Sequence, residues 1–314
     1  MALVGITALV PPEIIYASGN VPLDINNNVP KSHHVPKDKL CAWTAIWRDL
    51  ALLGEIKLDK LVVVAGGDCN NAIVDGEKIE ISGIETHYFT YPFDGSVEKM
   101  RDEISELISF LGGISNERMI ETVRNVKNEA RLLVERQADG KINSQDAFRM
   151  CVNGSDLEGN PYSYLEKLKV LENSNTDCDF SVALLGTPPI YSDFHEFLES
   201  IGFRVVFDEM PNEFIRHSGS TIDEIAGEYA GYTFARNIQY RVKFLIKELK
   251  KRNVDGVIHF HQFACHHKLE DPILREILGK EGYPYISIEG DLPSLTPQNT
   301  KLRLEAFKER LGEF

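Results

Sequence analysis

Five cysteines stand at positions 41, 69, 151, 178 and 265, an odd number at irregular spacing that argues against a disulfide framework. Thiolates otherwise serve as nucleophiles or as ligands for iron–sulfur clusters, zinc or copper(I). Cys69 falls four residues past the β-branched run Lys60–Ala65. Cys265 falls five past the expected strand Val254–Phe260, and Cys41 lies in the first turn of an expected helix. Cysteines at the ends of elements can converge on one crevice, whereas cysteines inside helices and strands scatter. Cys41, Cys69 and Cys265 are therefore the candidate metal ligands. The competing reading is that each is a small buried hydrophobe. Cys151 and Cys178 sit in a polar middle region and are taken as non-ligands.

Four of the nine histidines crowd the segment HFHQFACHH: His259, His261, His266 and His267. Alternation along a strand points His259 and His261 to the same face. With Cys265 they suggest zinc, although adjacent His266 and His267 cannot easily both reach one ion. They otherwise line a polar crevice, with His261 or His266 donating a hydrogen bond to a cluster sulfide or a substrate carbonyl. Cys41 or Cys69 as a hydrolytic nucleophile paired with a remote histidine stays open. Gly66-Gly67 lacks both the Walker Lys-Ser/Thr and the G-x-G-x-x-G spacing, so it is not a nucleotide loop.

Elements must position these side chains. Pro11–Gly19 reads as a short helix, with prolines at its start and glycine at its stop. Val21–Ile25 reads as a strand. A helix is expected over residues 38–54 with Asp38 as N-cap, burying Leu40, Trp43, Ile46, Trp47, Leu50 and Leu53. Lys60–Ala65 has the continuous apolar character of a strand covered on both faces. Further strands are expected at 84–91, 181–186, 204–207, 254–260 and 285–289, and helices at 97–112, 116–138, 193–200, 221–229, 236–251, 271–279 and 297–311. Residues 139–179 read as irregular, with one helix near 162–171. Strand–helix alternation of this kind predicts an α/β protein with doubly wound parallel sheets. The expected organisation is an N-terminal α/β domain over 1–140 with Cys41 and Cys69, a connector over 141–180, and a C-terminal α/β domain over 181–314 with Cys265.

The formal net charge of −14 argues against a nucleic-acid surface, which needs clustered Lys and Arg. No segment approaches the ~20 apolar residues of a membrane span. The apolar start, Met1–Val10, lacks a basic flank and runs into prolines, so it does not read as a signal peptide. A cytoplasmic location is the expectation.

Taken together, PPEIIYASGNVPLDI, LCAWTAIW, VVVAGGDCNNA and the C-terminal segment from DGVIHFHQFACHH to TKLRLEAF resemble the 2-hydroxyacyl-CoA dehydratase and benzoyl-CoA reductase family, in that family's order. The resemblance implies two flavodoxin-like domains with a [4Fe–4S] cluster held by Cys41, Cys69 and Cys265, the fourth iron being left for a small ligand or substrate. It implies low-potential one-electron chemistry on an acyl-CoA thioester through a ketyl radical. It also implies an ATP-dependent iron–sulfur activator protein, and a second subunit of the same family or a homodimer. Ser18 is the candidate polar contact beside the open iron; a helix-end role is its alternative. The chain departs from the pattern at Asn70, where Asp is usual, and in GYTFA, which lacks an extra cysteine found in some members. Five cysteines cannot supply a six-cysteine double-cubane site. The chain is also shorter than a full catalytic subunit is expected to be. A non-catalytic electron-transfer subunit of the same fold is therefore the second hypothesis, and a zinc hydrolase using Cys265 and the histidines the third.

Overall fold

A computed structural model describes residues 1–172 and 178–313. Two four-stranded sheets, all parallel, organise the chain. The first contains β1 (Leu3–Ile6), β2 (Val21–Asp24), β3 (Lys60–Gly66) and β4 (Glu85–Thr90), in the order β2-β1-β3-β4. The second contains β5 (Phe180–Gly186), β6 (Phe203–Asp208), β7 (Gly256–Gln262) and β8 (Tyr285–Gly290), in the order β6-β5-β7-β8. Both halves thus share one flavodoxin-like order. In each, chain direction across the sheet reverses between the first and third strands, and that switch point opens a crevice beyond the carboxyl ends.

The helices of the first half are α1 (Pro12–Ala17), α2 (Ala42–Leu52), α3 (Asn70–Ile81), α4 (Val97–Phe110) and α5 (Arg118–Ala138). Two more, α6 (Ser144–Val152) and α7 (Pro161–Lys169), lie between the sheets in sequence. The second half carries α8 (Phe194–Ser200), α9 (Glu209–Arg216), α10 (Ile222–Tyr229), α11 (Ile238–Lys251), α12 (Asp271–Lys280) and α13 (Gln298–Leu311). Among the described residues no helix is long and apolar enough to cross a membrane.

Period-two alternation explains how β3 is covered on both sides. Val62 and Val64 enter a core with Val4, Ile6 and Phe89, while Leu61 and Val63 enter another with Ile46, Trp47 and Ile79. All four β3 side chains are fully buried, each contributing about 1.5–3 kcal/mol by removal from water. The second of these cores also contains Val182, Leu184, Ile258 and Phe260 of the other sheet. The two halves therefore share apolar packing, which holds their switch points together.

Several elements differ from expectation. β1 comes from the N-terminal apolar stretch, which carried no strand signal beyond its four residues. Helix α2 begins at Ala42 with Cys41 as its N-cap, not Asp38. The Arg48 guanidinium donates to the Asp38 carbonyl at 3.1 Å and holds the preceding stretch off the helix axis, leaving Leu40 65% exposed. Leu53 is likewise exposed at the α2 terminus, where Gly54 takes a left-handed φ of 73°. β7 runs two residues beyond Phe260. The region expected to be irregular contains α6, capped by Asn143 Oδ1 accepting from the Asp146 amide at 2.7 Å. Its Ala147, Met150 and Cys151 pack into a third core with Leu133, Leu157 and Tyr164.

Candidate functional site

Cys41, Cys69 and Cys265 all border one cavity of about 250 Å³. Its wall draws on the carboxyl ends of four strands: Thr7 and Ala8 after β1, Asp68 after β3, Thr187 after β5, and Gln262 at the end of β7. It lies at both switch points at once. The lining is mostly apolar, with Trp43, Trp47, Phe148 and Phe214 among its side chains.

Each cysteine occupies an equivalent local position. Cys41 is the N-cap of α2, Cys69 the N-cap of α3, and Cys265 the N-cap of the 3₁₀ turn His266–Glu270. Backbone amides are aimed at the sulfurs: those of Thr44 and Trp43 at Cys41, of Ala72 at Cys69, and of His267 at Cys265. Helix N-termini with inward amides favour anionic sulfur. Burial opposes them and dominates. It raises the Cys41 thiol and raises Cys265 to about 12. Cys69 is pushed well up by burial, then by Asp68 and by Cys41 and Cys265, which places the three sulfurs within electrostatic reach of one another. Cys151 lies in the third core, and neither it nor Cys178 borders the cavity.

The loops that carry the cysteines are tied together. Asn71 Nδ2 donates to the Ala264 carbonyl at 3.1 Å, joining the start of α3 to the loop of Cys265. Lys39 Nζ reaches Asp291 at 2.7 Å, and Gln262 Nε2 donates to the Asp291 carbonyl at 2.6 Å. Gly67, at φ 81°, brings its loop against Ala235, where a Cβ would stand 3.1 Å from the carbonyl oxygen; glycine is required there.

The 2-hydroxyglutaryl-CoA dehydratase D-component family model matches residues 7–311. That span contains all three cavity cysteines and every strand except β1. The chain belongs to the 2-hydroxyglutaryl-CoA dehydratase D-component family. No curated protein matches the chain. The family makes this a dehydratase-type subunit, and the two flavodoxin-like halves are the scaffold that carries its cavity.

Within this D-component chain the other expected site residues divide. His266 borders the cavity beside Cys265, with its ring 4.0 Å from that of His267. Burial first, and then the adjacent His267, lower His266 to about 4. His261 does not border the cavity. It faces the other side of β7, with Nε2 3.0 Å from Ser287 Oγ, in a second, charged pocket with Lys268, Arg275 and Arg303. His259 shares that face, as strand alternation requires, its ring 5.6 Å from His261 and its Nδ1 2.8 Å from Asp271. Ser18 is also outside the cavity. Helix α1 leaves the carboxyl end of β1 and returns to the amino end of β2, so its C-terminus lies at the far end of the sheet from the cysteines. There the Ser18 hydroxyl donates to the Ile15 carbonyl at 2.7 Å and accepts from Asn20 Nδ2 at 3.0 Å, the bonds of a helix-end residue.

Of two further polar features of the cavity, Asp24 carried no signal in the sequence and His267 only that of the histidine-rich segment. On the first-sheet side is Asp24, buried beside Asp156, whose Oδ2 accepts the Asp24 amide at 2.8 Å. Burial, then the neighbouring Asp156 charge, raise Asp24 to about 7. On the second-sheet side is His267, 3% exposed, its Nδ1 3.1 Å from Glu270. An i, i+3 His–Glu spacing was present in HHKLE but is too common to stand out. Among the described residues, no group of three or more His, Cys, Asp or Glu side chains is gathered where a single metal ion could sit.

Proposed function

We propose that Cys41, Cys69 and Cys265 hold a [4Fe–4S] cluster, and that this chain is the iron–sulfur subunit of a 2-hydroxyacyl-CoA dehydratase-like enzyme. One observation carries the reading: three cysteines from three separate elements, each at a helical N-terminus with amides turned to its sulfur, border one mostly apolar cavity. The donor set fits the group. Three thiolates from separate elements are the donor type that iron–sulfur clusters take. Three thiolates leave one iron without a protein ligand.

Bound there, such a cluster supplies low-potential one-electron transfer and a Lewis-acidic iron, the chemistry that turns an acyl-CoA thioester into a ketyl radical anion able to lose its hydroxyl. The chain's own part is different. Trp43, Trp47 and Phe148 keep water from the cavity, and low local polarity strengthens each electrostatic contact inside it. The Asn71–Ala264 and Lys39–Asp291 ties fix the cysteine loops before anything binds. The partners this reading calls for are a second subunit of the same family or a second copy of the chain, an ATP-dependent iron–sulfur activator protein as electron source, and a cytoplasmic acyl-CoA.

Spectroscopy of the reduced, anaerobically reconstituted protein tests it. Adding a 2-hydroxyacyl-CoA should change the EPR signal, because the open iron is exchangeable. An unchanged signal and no measurable binding would replace the enzyme with a cluster-carrying electron-transfer subunit.

A further inference from the structure

The cavity separates its apolar and charged groups by depth. Half-buried Trp43, Phe148, Val152 and Pro188 border it with carbon. The one polar atom of Trp43, its indole Nε1, donates to Asn26 Oδ1 at 2.9 Å. Phe148 stacks on His195 with ring centres 4.1 Å apart, and His195 Nε2 lies 2.8 Å from Asp208, so the phenyl ring is fixed. Amides of the wall are turned to protein acceptors. Asn26 Nδ2 donates to Asp24 Oδ1 at 3.0 Å, Asn71 Nδ2 to the Ala264 carbonyl at 3.1 Å, and Gln262 Nε2 to the Asp291 carbonyl at 2.6 Å. Asp24 and Asp68 are the buried acidic groups. Among the described residues that border the cavity, the lysine and the arginine are Lys31 and Arg149, and both are exposed at its rim. Arg149 is moreover paired with Asp146 at 3.0 Å. His266 and His267 belong to the cysteine side, within two residues of Cys265.

A carboxylate taken out of water needs a cation beside it, or its lost hydration is not recovered. Neutral groups such as Asn27 and Thr187 serve a carbonyl or a hydroxyl but do not balance a buried charge. An apolar chain laid against Trp43, Phe148 and Val152 gains from burial and asks for no partner. Resting on the acyl-CoA reading above, we infer that the acyl chain taken by this cavity is uncharged and apolar, aliphatic or aromatic, and that thioesters whose chain ends in a carboxylate are rejected. The chain thereby parts from the substrate that gives its family its description, since 2-hydroxyglutaryl ends in such a carboxylate. Trp43, Phe148 and Val152 are the specificity-determining residues, and the exposed rim cations lie too far out in the wall to pair with a buried chain end.

The test is equilibrium binding of two thioesters of matched shape to the full chain carrying its iron. One is 2-hydroxyglutaryl-CoA; the other is 2-hydroxy-5-methylhexanoyl-CoA, in which an isopropyl group replaces the carboxylate. The apolar thioester should bind about tenfold or more tighter. Val152→Lys, which brings an ammonium to the apolar wall, should narrow or reverse that preference by tightening 2-hydroxyglutaryl-CoA. Phe148→Ala should weaken the apolar thioester and leave the other unchanged, and it decides the matter if Val152→Lys does not fold. Lys31→Ala and Arg149→Ala should leave the ratio of the two Kd values as it was. Selective loss of 2-hydroxyglutaryl-CoA binding in either rim variant would overturn the inference, because a rim cation would then reach the chain end. Equal Kd values in the unaltered protein, or tighter binding of 2-hydroxyglutaryl-CoA, would overturn it too; in these cases the acyl-CoA reading would stand. Failure of both thioesters to bind a protein with full iron content would instead overturn the acyl-CoA reading and this inference with it.

Discussion

The two sheets share one strand order, yet two carboxylate pairs beside them sit in opposite surroundings. Asp24, at the end of β2, lies beside Asp156, which follows α6; burial raises both, and the Asp156 charge adds to the rise at Asp24. In the second half Glu209 and Glu270 share Arg241, and at Glu270 burial is overcome by His267 and Arg241, which hold it at about 2. A common scaffold does not dictate a common electrostatic environment. The residues added around the carboxyl ends of the strands do that, and here they give an acidic wall at Asp24 and an ion-paired wall at Arg241.

Removing the sulfurs gives the largest effect expected. Cys41→Ser, Cys69→Ser and Cys265→Ser should each lose or degrade the cluster, whether the cysteine belongs to the first half or the second. Cys151→Ser and Cys178→Ser should keep full iron. Iron analysis of the five variants checks this, and a Cys151→Ser protein that lost its iron while Cys41→Ser kept it would reverse the ligand assignment.

Next comes the ion-paired wall. Arg241→Met strands the fully buried Glu209 and the partly buried Glu270 and should cost about 3–5 kcal/mol in denaturant unfolding. A cost below about 1 kcal/mol would mean that the two walls are not distinct in kind. Acid should act on this half too: with Glu270 held at about 2, its contribution is present above the ordinary carboxylate range and is lost as pH falls toward that value.

The acidic wall should respond in the other direction. Asp24 titrates at about 7 in the fold against 3.8 as its reference, so its contribution is full below 3.8 and is lost as pH rises toward 7. Asp24→Asn removes that loss and should stabilise the protein by about 1–4 kcal/mol more at pH 8 than at pH 4. Thermal midpoints of both proteins across that range provide the check; parallel curves would show that the Asp24 carboxyl is not perturbed.

Ser18→Ala should have the smallest effect, about 1 kcal/mol or less from one helix-end hydrogen bond, with iron content and acyl-CoA response unchanged. His261→Ala should likewise leave iron and the acyl-CoA response intact, since His261 faces the other side of β7. A lost response in either variant would extend the site beyond the cavity described.

Hydrophobic pattern made much of this fold legible. β3 is a nearly continuous apolar run and β7 carries Val257, Ile258 and Phe260, so the cysteines that follow them fall at carboxyl ends. Short elements escaped. β1 has four residues, too few for alternation to register, and α6 hides its buried Ala147, Met150 and Cys151 among polar neighbours. Helix α3, which starts directly after Cys69, has Gly76 on its buried side where a larger apolar residue would have marked it; a Cβ there would stand 2.7 Å from Val63. His261 and His266 could not be separated because the end of β7, two residues later than expected, decides which face each side chain takes. Ser18 was placed by resemblance rather than by physics, and chain direction alone carries it to the wrong end of the sheet. His267 and Asp24 gain their character from partners far away in sequence, Arg241 and Asp156, which no local pattern announces.

The central claim is that three cysteines at three helical N-termini hold one cluster. Iron and acid-labile sulfide, counted per chain after anaerobic reconstitution, test it most directly. The account predicts about four of each, with the broad absorption of a cysteine-ligated cluster. One zinc per chain with no sulfide, or iron that binds without sulfide, would contradict it.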